Sequence, residues 1–234
     1  VLTSSNGIFL LATIFSKLKI GIYSTFIQHP SLSPEIKQSF EQFIQTLQDL
    51  GAQIKFLDFF PGETLTATYY IIALAETASN LSRIDGIAYG NRVENKATLK
   101  ETYLATRGEG FSEETKKRIV AGNQVLSVGY SDEIYKKALK VRKSIENKFA
   151  KDFESVDFIV SPIAPITPPN IGESLQDPLA MYASDIYTVG FSLGGLPTLS
   201  APFNLAHNVQ ISAKKGCDEQ ILKLAFALEQ KLKK

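Results

Sequence analysis

The stretch KLKIGIYSTFIQHPSLSPEIKQSFEQFIQTLQDLGAQIKFL, residues 17–57, decides the fold class. Lys17-Leu18-Lys19-Ile20-Gly21-Ile22-Tyr23 alternates as a strand does. Ser33 can cap a helix whose first turn is pre-set by Pro34. Ile36, Phe40, Phe43, Ile44, Leu47 and Leu50 then form one apolar stripe, and Gly51 supplies the stop. Gln53-Ile54-Lys55-Phe56-Leu57 reads as a second strand. Two strands separated by a helix predict a parallel pair with a crossover, because parallel strands need a long connection that returns the chain to the same end.

Downstream, helical patterns dominate from Pro61 to Phe153, with breaks expected at Asp85-Gly86, Tyr89-Gly90-Asn91 and Gly108-Glu109-Gly110. The last helix of this region starts at Ser131 or Asp132 and places Ile134, Ala138, Val141, Ile145 and Phe149 on one face. Lys136, Lys137, Lys140, Arg142, Lys143 and Lys148 lie mostly elsewhere and read as a solvated face. Phe158-Ile159-Val160-Ser161 is a short strand running into Pro162, Pro165, Pro168 and Pro169, which imply a loop or lid. A short helix is expected from Leu179 to Tyr187, then a Gly194-Gly195-Leu196-Pro197 turn. Strands follow near Thr198–Ala201 and Val209–Ala213, and a closing helix begins near Asp218.

Upstream, residues 8–15 are apolar but far short of the ~20 residues that cross a bilayer, and no basic segment precedes them. They read as a buried helix or strand, and a membrane role is not expected. Val1 in place of Met suggests a fragment or a processed product.

The 234 residues suffice for one sizeable core or for one lobe of a larger domain. With 25 Lys and Arg against 24 Asp and Glu there is no global basic field for nucleic acid. A single cysteine, Cys217, excludes an intramolecular disulfide, speaks against a zinc cluster and fits a structural thiol in a reducing compartment. His29 and His207 are too few for a histidine-based triad or metal site and read as surface or packing residues. No HExxH or P-loop occurs in the sequence.

Three segments combine polar groups with small or tightly turning residues. They are YYIIALAETASNLSRIDG at 69–86, TRGEGFSEETKKRI at 106–119, and DPLAMYASDIYT at 177–188 with GGLP at 194–197. In order and spacing, together with VLSVGYSDEIYKKALKVR and VDFIVSPIAP, these stretches resemble the A subunits of tRNA-dependent amidotransferases, within the amidase-signature family. The resemblance runs from about Lys17 to the C terminus.

The resemblance implies an α/β fold of the amidase-signature type, with a mixed central β-sheet covered by helices. Residues 1–234 would be the C-terminal portion of a single such domain. The family's nucleophile is a serine activated by a second serine and a lysine in a glycine- and serine-rich stretch. No such stretch occurs here, so no catalytic residue is assigned and the chain alone is expected to be inactive. What the chain would contribute is the binding end of a glutamine pocket. Arg118 matches the family's carboxylate-binding arginine, Asp185 its ammonium-binding aspartate and Tyr69 a pocket tyrosine. An arginine and a carboxylate suit that task because they grip the two charged ends of a free amino acid with directional hydrogen bonds. Simpler readings are a helix-surface ion pair for Arg118, a cap or buried partner for Asp185 and core packing for Tyr69.

The expected partners are the amidotransferase B subunit and a small C-type subunit, with tRNA met mainly through the complex. No cofactor is expected in this chain, ATP and magnesium belonging to the B subunit. The expected compartment is the bacterial cytoplasm or, alternatively, the mitochondrial matrix. Ala88 and Gly108 depart from the family's common basic residue and serine, and the segment from Pro202 to Val209 looks shortened, which puts the final hairpin in doubt. The rival functions are a hydrolase of other small amides and a non-catalytic module that retains only partner binding.

Overall fold

A computed structural model describes residues 15–129, 131–168, 170–171, 184–203 and 207–232. Most of the apolar segment at 8–15, the first part of the helix expected from Leu179, and Lys233 and Lys234 lie outside the described residues; Phe15 itself is fully buried.

The unit expected from residues 17–57 forms. Strand β1 (Lys19–Tyr23) is followed by one helical turn, α1 (Ser24–Ile27), by helix α2 (Pro34–Asp49) and by strand β2 (Gln53–Leu57). β1 and β2 are parallel, with Lys19 opposite Gln53 and Tyr23 opposite Leu57. The Ser33 hydroxyl accepts from the Ile36 N–H at 3.3 Å, Pro34 occupies the first turn, and Gly51 reverses the chain at φ 98°. The alternation read in β1 is overridden by burial: Ile20, Gly21, Ile22 and Tyr23 are all buried, because β1 is an interior strand covered on both faces.

The other strands are β3 (Phe158–Pro162), β4 (Thr198–Pro202) and β5 (Asn208–Ala213). The sheet order is β2-β1-β3-β5-β4. β3 runs parallel to β1, while β5 runs antiparallel to both β3 and β4, so the sheet is mixed as expected. The final hairpin pairs fully from Thr198 opposite Ser212 to Pro202 opposite Asn208, which removes the doubt about it.

Side chains alternate across these strands. On one face Ile20, Ile22, Phe158, Val160 and Ile211 pack against Phe40, Phe43 and Leu47 of α2. Ile221, Leu224 and Leu228 of the closing helix α8 (Asp218–Leu232) join the same cluster. The opposite face is aromatic. Tyr23 stacks on Phe59 at 4.2 Å, Phe59 meets Phe149 at 4.8 Å, and Phe149 meets Phe191 at 5.4 Å. Phe149 comes from helix α6 (Lys136–Asp152) and Phe191 from helix α7 (Ile186–Gly194). The sheet is therefore sandwiched by helices, the expected α/β class.

The chain divides into two compact units, 1–66 with 142–234, and 67–141. The first holds the sheet. The second consists of most of α3 (Gly62–Leu81), α4 (Leu99–Gly110), α5 (Glu113–Leu126) and a five-residue π-helical turn, Ser131–Tyr135, that leads into α6. α3 and α5 approach closely at Gly122, where a Cβ would run into the Leu74 carbonyl and the Ala78 side chain.

One expectation shifts. The break placed at Gly108-Glu109-Gly110 falls later, at Phe111, and α4 continues through Gly110 because intrahelical bonding outweighs the weak propensity of isolated glycines. Most of the helix expected from Leu179 to Tyr187 lies outside the described residues; α7 begins at Ile186, runs to Gly194 and closes on Gly195, whose φ of 63° suits a glycine stop.

Candidate functional site

Asp185 stands immediately before α7, in the first unit, and is half-buried. Its backbone carbonyl accepts from the Thr188 and Val189 N–H groups at 3.0 and 3.1 Å, but its carboxylate makes no capping bond to the helix. The reason is local: its φ and ψ of −77° and −12° are helical rather than extended, and a side-chain cap needs extended backbone. Capping therefore does not account for an aspartate here.

The first turn of α7 is built from polar contacts that hold the backbone beside Asp185. The Tyr187 hydroxyl donates to the Phe26 carbonyl at 3.0 Å, and the Gln210 amide donates to the Tyr187 carbonyl at 3.0 Å and to the Ser161 hydroxyl at 3.2 Å. Gln210, Ser161 and Tyr187 are all buried. Burial pushes the Tyr187 hydroxyl up to about 12. The sequence carried one signal of this cluster, a glutamine amid the apolar residues of Val209–Ala213; its partners come from strands and helices distant in the chain.

Arg118 and Tyr69 belong to the second unit. Arg118 is exposed on α5, where its Nε–H donates to Glu114 Oε1 at 2.9 Å, the surface pair that a plain helix-face reading expects. That contact uses one of the five N–H donors of the guanidinium. α5 is held by the Ser112 hydroxyl, which accepts from the Thr115 N–H at 3.3 Å, and by the close approach at Gly122. Tyr69 is half-buried on α3, with its ring edge-on to Tyr70 at 5.3 Å.

A hollow of about 300 Å³ in the second unit is bordered by Asn91, Arg92, Arg107 and Phe111, and by none of the three residues named from the sequence. Arg107 is structural here. Its Nη1 donates to the Leu81 and Ile84 carbonyls at 2.8 Å each, closing the end of α3, and its guanidinium lies 5.0 Å from the Phe111 ring centre. The neighbouring turn is fixed by Asp85, whose carboxylate accepts from the Ile87 and Ala88 N–H groups at 2.8 and 3.0 Å. These bonds, the one from Ile87 foremost, hold its carboxyl below the ordinary range.

Neither histidine sits in a metal-binding group, and among the described residues no cluster of His, Cys, Asp and Glu could hold a metal ion. Both lie beside a carboxylate, His29 at 3.3 Å from Glu63 and His207 at 3.3 Å from Glu35. Among the described residues no helix is long and apolar enough to cross a membrane. On the lysine run, Arg142 donates to the Leu193 carbonyl at 3.1 Å and Lys148 to Asp152 at 2.7 Å, so these two are packing residues rather than part of a solvated face.

The comparisons with known proteins agree with this architecture. The A subunit of glutamyl-tRNA(Gln) amidotransferase from Thermoanaerobacter pseudethanolicus is 43% identical over 217 residues, 91% of this chain and 44% of the relative. That from Acinetobacter baumannii is 41% identical over 218 residues, again 91% of this chain and 44% of the relative. The crystal structure of the same subunit from Thermotoga maritima superposes with a TM-score of 0.68 at 29% identity, covering 92% of this chain and 43% of that one. A bacterial aryl acylamidase of the amidase-signature family, 16% identical, shares the fold with a TM-score of 0.63 over 94% of this chain and 45% of its own. The chain thus spans under half the length of the relatives it matches. The family model described as Amidase matches residues 11–222, and the chain belongs to the amidase family.

Proposed function

We propose that this chain is the later, glutamine-binding part of the A subunit of a Glu-tRNA(Gln) amidotransferase. The observation that carries the reading is the 41–43% identity to A subunits over about nine-tenths of the chain. In the intact subunit a serine outside these 234 residues attacks the side-chain amide of glutamine and releases ammonia. Water then frees glutamate from the acyl-enzyme. The ammonia passes to the B subunit, which uses ATP and magnesium to convert Glu-tRNA(Gln) to Gln-tRNA(Gln), and a small C-type subunit completes the assembly.

In this reading Asp185 holds the α-ammonium of glutamine, Arg118 its α-carboxylate, and Tyr69 lines the substrate. The geometry around Asp185 supports its role best, because the backbone beside it is tied down by buried hydrogen bonds. Arg118 would turn from its exposed Glu114 contact toward a substrate carboxylate; surface pairs of that kind contribute only ~0.3–0.5 kcal/mol.

The test is to assemble the complete subunit with its B and C partners and to compare glutamine with simple aliphatic amides as substrates. Preference for glutamine, with ammonia delivered to Glu-tRNA(Gln), is expected. Preference for aliphatic amides would assign the chain to another hydrolase of the family. Co-purification with the partners but without glutaminase activity would leave only a docking role.

A further inference from the structure

His29 looks unremarkable in the sequence, yet its side chain is only 10% exposed and both ring nitrogens are engaged. The Ser31 backbone N–H donates to Nδ1 at 3.2 Å, and the Ser31 hydroxyl lies 2.7 Å from the same atom. A nitrogen that accepts a backbone N–H carries no proton, so the ring is the Nε2–H tautomer, with Nε2 3.3 Å from Glu63 Oε1. With Nδ1 unprotonated the Ser31 hydroxyl donates to it, and the Tyr187 hydroxyl donates to the Phe26 carbonyl at 3.0 Å. The imidazole stands edge-on to the Tyr187 ring at 6.4 Å.

Ile186 closes the arrangement. It fills the space left by the missing Cβ of Gly62, and His29 Nε2 borders the same space. The two residues that follow Asp185 are thus seated, one against Gly62 and His29, the other against Phe26 and the edge of His29.

We infer that His29 is a positioning residue for the ammonium-binding carboxylate: the line from Glu63 through the His29 ring, held by Ser31, to the Tyr187 ring and Ile186 fixes the first turn of α7 and so fixes where Asp185 presents its charge. The inference rests on the glutamine-binding reading of Asp185. A carboxylate that grips an ammonium by directional hydrogen bonds loses much of its effect when its backbone shifts by a fraction of an ångström. Loosening the line should therefore weaken glutamine binding and spare every step that follows ammonia release.

The experiment uses the assembled enzyme. His29→Ala should raise the KM for glutamine about five- to thirtyfold, leave kcat at saturating glutamine within about threefold, and leave the reaction driven by added ammonia unchanged. His29→Gln, which retains an acceptor and a donor, should restore most of the loss. Glu63→Ala removes an exposed carboxylate without opening the core, and should raise the KM by about two- to fivefold even if the alanine variant at 29 fails to fold. Asp185→Asn serves as the reference. If it leaves the KM for glutamine unchanged, the binding assignment falls and this inference with it. If it raises the KM while neither His29→Ala nor Glu63→Ala does so, the positioning role alone is overturned. Equal loss of the glutamine and ammonia reactions in the His29 variants would also overturn it, because that pattern marks a fold defect.

Discussion

The Tyr23 hydroxyl donates to Asp152 Oδ2 at 2.8 Å, joining the end of β1 to the end of α6 across 129 residues of chain. Lys148, one turn earlier on α6, holds both oxygens of the same carboxylate at 2.7 Å and lies 5.7 Å from the Tyr23 ring centre. Asp152 is buried, so its charge depends on these two donors.

Lys148→Met should therefore destabilise the fold by about 2–4 kcal/mol, the lower end reflecting the partial exposure of the lysine. Tyr23→Phe should cost less, about 1 kcal/mol, since Lys148 still satisfies the carboxylate. Urea unfolding of the two variants measures both, and a Tyr23→Phe loss larger than that of Lys148→Met would contradict this division of labour.

Stability should also fall at alkaline pH. The Tyr187 hydroxyl is pushed up to about 12 by burial, and that of Tyr23 is raised as well, by burial first and then by the Asp152 charge. For both, the folded protein keeps a proton that the unfolded chain releases near pH ~10. Their contribution is whole below that pH and is lost as pH rises beyond it. The melting temperature should be insensitive to these tyrosines below pH ~9 and should drop above pH ~10, less steeply in Tyr187→Phe. A melting temperature unchanged up to pH ~11 would refute the assignment.

Three helical glycines should respond oppositely to alanine. At Gly122 the new methyl meets the Leu74 carbonyl and Ala78, so Gly122→Ala should destabilise by about 1–3 kcal/mol despite its better helix propensity. At Gly108 and Gly110 a Cβ meets nothing within 4 Å, so each substitution should stabilise by about 0.5–1 kcal/mol. Thermal unfolding of the three variants decides, and destabilisation at Gly108 would show that its flexibility is needed.

If the proposed glutamine site holds, Asp185→Asn and Arg118→Lys in the assembled enzyme should raise the KM for glutamine while sparing ammonia-dependent transamidation, because free ammonia bypasses such a site. The losses should be on the order of 2–5 kcal/mol where the contact is desolvated and smaller at a wet rim. Parallel kinetics with the two nitrogen donors measure this. Equal damage to both reactions would remove these residues from glutamine binding.

Local rules were enough to read β1, α2 and β2, because cap, stripe and stop agreed within one segment and each signal acts over a few residues. The antiparallel return of β5 between β3 and β4 was not legible, since strand order is a contact between distant segments. Gly122 carries no mark that distinguishes it from Gly108, because the Leu74 carbonyl that excludes a side chain there arrives from another helix. At the candidate site, the names Tyr69, Arg118 and Asp185 came through resemblance, while the support around Asp185 came only with the structure. His29 was read as a surface or packing residue, because the carboxylate beside it lies 34 residues away.

The π turn at Ser131–Tyr135 has a consequence for how sequences of this family should be aligned. A π turn takes up one more residue than an α turn and returns the chain to the same helical path. Deleting one residue at this place would leave an α turn running into α6, and the buried Ala138, Ile145 and Phe149 would keep facing the interior. A relative shorter by one residue here would pass straight into α6 with the same face buried, so the gap belongs within the turn and not in the loop before it.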